Sequence, residues 1–177
     1  MRCLPISLPT MNTRILGISF CTRMVGLAVL ESDLLIDYSV KLYKDKWSPA
    51  KMDTILASLT SAVEHYNIKH IVLSIAPVYA NSEPYQELWA EIVSHFYRLQ
   101  IPVTSYRLDD LQQIAGCEQR MSRNSLMEAL TGMYSELGFY AKIERRNKNK
   151  YYYKMFEAVG AATLYLKQNR DIETGEG

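Results

Sequence analysis

The chain has no cysteine framework. Its three cysteines, Cys3, Cys21 and Cys117, are odd in number and none stands at C-x-x-C spacing, which argues against a disulfide scaffold and a structural zinc site. A reducing, cytoplasmic compartment is the default that follows. The start, Met1 to Asn12, is interrupted by Pro5 and Pro9 and has no apolar run long enough for a signal peptide or a membrane span. Residues 1–12 therefore read as a flexible extension, with Met11 an alternative start. Net charge is nearly absent as well: 20 Lys and Arg against 19 Asp and Glu leave +1, so any polyanionic partner must be argued from where charge sits. There is no G-x-x-x-x-G-K-[ST] phosphate loop, no internal repeat and no low-complexity tract. His65, His70 and His95 do not stand at ligand spacing with cysteines or carboxylates, so each is expected at a helix end or on the surface, and no metal site is expected.

What remains is an ordinary globular composition. At 177 residues and 48% hydrophobic the chain is long enough to bury one core, roughly 70% of its unfolded surface. One domain over residues 13–168 and a polar, flexible tail over 169–177 are expected. Ile15 to Ile18 and Met24 to Leu30 are short runs rich in β-branched residues, with Gly26 a point of close backbone approach, and Leu35 to Tyr43 alternates as a third, antiparallel strand. Ser48 and Pro49 open a helix whose apolar face is Met52, Ile55, Leu56, Leu59, Val63 and Tyr66. His70 to Ile75 reads as a central parallel strand, a second helix starts between Asn81 and Pro84, and Pro102 to Tyr106 reads as a fifth strand. Ser125 and Glu128 have capping-box spacing for a helix closed by Gly138, and the last helix is expected over Tyr153 to Lys167. Three antiparallel strands followed by alternating helices and strands predict an α/β fold with a mixed five-stranded sheet, the last two strands parallel, flanked by helices.

The first hairpin, ILGISFCTRMVGLAVL, resembles the first motif of ribonuclease-H-like nucleases, most closely the RuvC-type Holliday-junction resolvases. In that family an Asp ends the first strand, followed by a Gly-bearing turn, Thr or Ser, a basic residue and a Gly-containing second strand. Thr22, Arg23 and Gly26 fit this pattern, but Ser19 stands in place of the Asp and Phe20 and Cys21 replace the small turn residues. The resemblance implies a second carboxylate at the end of the fourth strand, where this chain has Ser74. It also implies two more on the last helix, where YKMFEAVGAATL is similar to D-x-x-D-A-x-A-x-A with Lys154 and Glu157 at the acid positions. Cleavage by this fold uses two divalent cations roughly 4 Å apart, and Mg²⁺ needs anionic oxygen ligands. Ser19, Ser74, Lys154 and Glu157 sum to zero charge, so a degenerate site without two-metal cleavage is expected and no cofactor with it. Read without that frame, Ser19 and Ser74 are small strand-end residues, and Lys154 with Glu157 is an i,i+3 surface pair worth about 0.3 kcal/mol.

A second feature is the stretch from Tyr140 to Phe156. Lys142, Arg145, Arg146, Lys148, Lys150 and Lys154 stand there against one acid, Glu144, followed by Tyr151, Tyr152 and Tyr153. Cations beside aromatics offer phosphate contacts and stacking platforms, so with Arg23 the residues Lys142, Arg145, Arg146, Lys148, Lys150, Tyr151 and Tyr152 are the candidate nucleic-acid-binding set. The competing reading is a solvated lysine-rich loop with tyrosines packed in the core. Three functions stay open: a pseudo-nuclease binding branched or structured nucleic acid, DNA before RNA and as a homodimer like the resolvases; an active Mg²⁺ or Mn²⁺ nuclease using Glu157, Asp109, Asp110 or Glu83; and a protein-interaction scaffold. Asp109 and Asp110 otherwise cap the segment after the fifth strand. ATPases of the sugar-kinase and actin type share the hairpin outline but need two such domains, for which the chain is too short.

Overall fold

The computed structural model describes residues 13–77, 82–116 and 122–174. The expectations for the 1–12 extension, Cys3, Cys117, Asn81 and the last three residues lie outside them. Strands β1 (Arg14–Phe20), β2 (Met24–Glu31) and β3 (Leu34–Leu42) form an antiparallel meander. Helix α1 (Pro49–Tyr66), strand β4 (His70–Ile75), helix α2 (Glu83–Arg98) and strand β5 (Val103–Arg107) follow, and the sheet order is β3-β2-β1-β4-β5. Strands β4 and β5 run parallel to β1, as expected. A 3-10 turn (Leu108–Leu111) leads into helices α3 (Gln112–Ala115), α4 (Arg123–Met133), α5 (Gly138–Arg146) and α6 (Tyr153–Thr174).

The central strands are buried on both faces, so they read as continuous apolar runs. On one face Leu16, Ile18, Val29 and Leu73 meet Ile55 and Leu59 of α1 and Leu88, Ile92 and Phe96 of α2. On the other, Ile15, Ala28, Leu30 and Val72 meet α6 and the α4 residues Leu126 and Leu130. Helix α6 lies across β2, β1 and β4, and two glycines let it come close. A Cβ on Gly26 would collide with the backbone carbonyl of Lys154, and one on Gly17 with that of Ala158. The buried Ala158, Ala161 and Ala162 continue the same economy of size along the helix.

Several local expectations are corrected. The N-cap of α4 is Ser122, whose hydroxyl accepts from the Ser125 N–H at 3.1 Å, while Glu128 faces outward to Arg145. Gly138 does not close that helix: it has ordinary right-handed geometry and opens α5, which the basic composition had disguised as a loop. The last helix continues past Lys167 to Thr174, so residues 169–174 of the expected tail are helical. There Arg170 reaches back to Asp33 at 2.6 Å. Among the described residues no helix is long and apolar enough to cross a membrane.

Candidate functional site

Ser19 and Ser74 are partners in the parallel β1–β4 register, at the carboxyl ends of neighbouring strands. Their positions share the parity of Gly17 and Val72, which places both side chains on the α6 face. Across β2, Ser19 also pairs with Gly26, the position over which the first turn of α6 rests. Sheet and helix therefore bring three of the four sequence-derived positions into direct contact. The Ser19 hydroxyl donates to Glu157 Oε2, and Lys154 Nζ donates to the same oxygen at 2.8 Å. Ser74 lies beside Ser19 in register, and its hydroxyl has no hydrogen-bond partner among the described residues. Ser19, Ser74 and Glu157 are buried, 0%, 3% and 4% exposed, and the Lys154 side chain is 20% exposed. The expectation of a solvated i,i+3 surface pair is thereby corrected, because the helix face carrying the pair is turned onto the strand ends.

Tyr85, in the first turn of α2, closes the adjacent edge. Its hydroxyl accepts from the Ala76 N–H at 2.8 Å and its ring stacks on Phe20 at 4.9 Å. Burial, with the nearby Glu157 carboxylate adding to it, pushes its phenol up to about 12, so it stays neutral at any working pH. On the other flank burial also raises the Tyr153 phenol, and the Arg123 guanidinium lies over that ring at 4.7 Å.

The basic segment divides by exposure. Lys142, Arg145, Arg146, Lys148 and Lys150 are exposed, Arg145 pairs with Glu128 at 3.3 Å, and Arg23 is exposed on the β1–β2 turn. The tyrosines are more enclosed than free stacking platforms would be. Tyr153 is in the core, while Tyr151 and Tyr152 are half-buried in an edge-to-face chain that runs through Tyr140 to Tyr38 on β3. Sequence reasoning missed Glu144. It is fully buried, and its carboxylate accepts from the backbone N–H groups of Tyr151, Tyr152 and Tyr153 at 2.9–3.0 Å, while Lys150 Nζ donates to its carbonyl at 2.6 Å. These are the orphan donors at the start of α6, and an anion there also meets the positive end of the helix dipole. A lone acid in a basic run was the available signal.

The remaining candidates lie elsewhere. Asp110 accepts from the Arg107 N–H at 2.7 Å and caps the 3-10 turn, as expected, while Asp109 and Glu83 are exposed. His95 contacts the Thr60 hydroxyl and His65 is exposed in the last turn of α1. His70 departs from the surface expectation: it is a β4 residue, with Nε2 2.8 Å from Thr104 Oγ1 and its ring stacked on Tyr165 at 4.3 Å. Among the described residues no three His, Cys, Asp or Glu side chains lie together as a metal-ligand group.

RuvC of Thermus thermophilus superposes on this chain with a TM-score of 0.67, covering 88% of this chain and 96% of RuvC at 10% sequence identity. The chain has a ribonuclease-H-like α/β fold. RuvC from the same organism in complex with a Holliday junction substrate gives the same TM-score at 12% identity, covering 89% of this chain and 96% of RuvC. No family model matches the sequence, and no curated protein matches it. At these identities the likeness establishes architecture.

Proposed function

We propose that this protein is a RuvC-like nucleic-acid-binding protein, DNA before RNA, whose catalytic cluster has lost two-metal cleavage. One arrangement carries the proposal: the single carboxylate of the cluster, Glu157, is committed to the Ser19 hydroxyl and to the Lys154 ammonium on the same oxygen. Paired Mg²⁺ ions would need several anionic oxygens where this chain offers two hydroxyls, one engaged carboxylate and a cation. The residues present do not fit the paired metals of the fold.

Binding is supported by the exposed cations of α5 and the loop after it, just ahead of the helix that carries Lys154 and Glu157. The T. thermophilus RuvC held with a Holliday junction lends the same fold a precedent for branched DNA. Binding and cleavage of four-way junction, flap, duplex and single-stranded DNA and RNA, with Mg²⁺ or Mn²⁺, tests the proposal. Salt-dependent binding to branched DNA without turnover is the expected result. Metal-dependent turnover abolished by Glu157→Ala would establish the active-nuclease alternative instead, and no salt-dependent binding to any of them would leave the scaffold reading. In the triple variant S19D/S74D/K154D, Mn²⁺ binding absent from the wild type should appear in a calorimetric titration.

A further inference from the structure

The β3–α1 connection is fixed in place and carries cations outside the basic segment of α5 and its loop. The Tyr43 N–H donates to the Arg23 carbonyl at 2.8 Å, which ties the connection to the β1–β2 turn. Lys51, only 5% exposed, donates from Nζ to the Asp45 carbonyl at 2.6 Å, and Trp47 Nε1 donates to Glu87 at 2.9 Å. A buried ammonium spent on a backbone carbonyl is an expensive way to hold a loop. Its result is a fixed backbone with Arg23, Lys44 and Lys46 exposed and, among the described residues, free of ion pairs and side-chain hydrogen bonds.

This cationic group shares one end of the sheet with the α5–α6 loop. Ser19, Gly26 and Val40 are successive partners across β1, β2 and β3, and the Tyr151 hydroxyl donates to the Val40 carbonyl at 3.4 Å. The loop holding Lys148 and Lys150 thus sits over the strand ends that lead, within a few residues, to Arg23 and Lys44. Asp45 and Glu87 are the acids nearby, the second engaged by Trp47. They leave the group with an excess of positive charge.

We propose that Arg23, Lys44 and Lys46 form a second backbone-phosphate contact, so that a nucleic-acid strand runs along this sheet end between them and the Lys148–Lys150 loop. The inference rests on the nucleic-acid reading above and extends it to a defined path. A strand is the fitting partner because the two cationic groups belong to separate connections, β1–β2 with β3–α1 and α5–α6, gathered at one sheet end, and successive backbone phosphates can meet each in turn.

The salt dependence of branched-DNA affinity tests this in the full-length chain. Removing one cation that neutralises a phosphate lowers the slope of log affinity against log salt by about 0.9. The variant R23Q/K44Q/K46Q should therefore lower it by about 2 to 3, as should R146Q/K148Q/K150Q, while R23K/K44R/K46R keeps the wild-type slope. Lys69 and Lys167, exposed away from this end, supply the control K69Q/K167Q, whose slope should equal that of the wild type. An unchanged slope in R23Q/K44Q/K46Q, with the loop variant reduced, overturns the second contact and leaves the binding function standing. A wild type that binds no nucleic acid overturns both. Equal losses in the K69Q/K167Q control overturn the path in favour of diffuse charge.

Discussion

The carboxylate of Glu144 holds the backbone N–H of Tyr152 at 2.9 Å, and with it the start of helix α6. The same oxygen, Oε2, accepts from Tyr151, and Oε1 accepts from Tyr153. Both oxygens of a fully buried side chain are thus used, and Lys150 is bonded to the carbonyl of the same residue.

Replacing Glu144 tests this anchor. Glutamine turns an NH₂ group toward one of the three donors, and E144Q should lose about 2 kcal/mol of stability in urea unfolding. E144A leaves all three donors unpaired and should cost about 3 kcal/mol or more. A loss under about 0.5 kcal/mol in E144A would show that water replaces the carboxylate without penalty.

The contact of α6 with the sheet makes a second prediction, about two glycines. G26A and G17A each force a methyl group against a helix carbonyl, with backbone on both sides and no flexible side chain to yield, so each should cost about 3 kcal/mol or prevent folding. Gly132 of α4 has nothing within 4 Å of an added Cβ. G132A should stabilise by about 0.5–1 kcal/mol through helix propensity. Thermal melts of the three variants separate close approach from glycine content as such.

Acid sensitivity is the third. Burial lowers His70 from its ordinary value of 6.5 to about 4, so between those two pH values the unfolded chain binds a proton at this site that the folded chain does not. The folded state keeps its full advantage from this group above pH 6.5 and loses it progressively as pH falls toward 4. H70Q, which can still contact Thr104, should show a shallower fall of melting temperature across that interval than the wild type. Identical slopes would place the acid sensitivity in the carboxylates alone.

Most of the architecture was legible from the chain because the central strands are apolar on both faces and short, and because Ser48 with Pro49 marks a helix start by local chemistry alone. Helix α5 was not legible, since four cations and an asparagine between Lys142 and Lys148 obscure the buried Ala141 and Glu144 that seat it. The cluster positions Ser19, Ser74, Lys154 and Glu157 were found through the likeness of two short motifs, and their meeting is a matter of strand register and helix docking that residue spacing does not encode. Glu144 and Lys51 escaped for one reason: both are charged residues placed inside, opposite to the usual partition, and each is explained by the backbone groups it satisfies.

Because α6 meets the sheet backbone directly at Gly17 and Gly26, with no room for a methyl group at either point, the helix cannot slide or tilt without lifting off two strands at once. The helix and the two strand ends beneath it are in effect one rigid body. Freedom to move at this end of the sheet is then left to the connections around it, which is where the long cationic side chains of Arg23, Lys44, Lys46 and Lys148 are mounted.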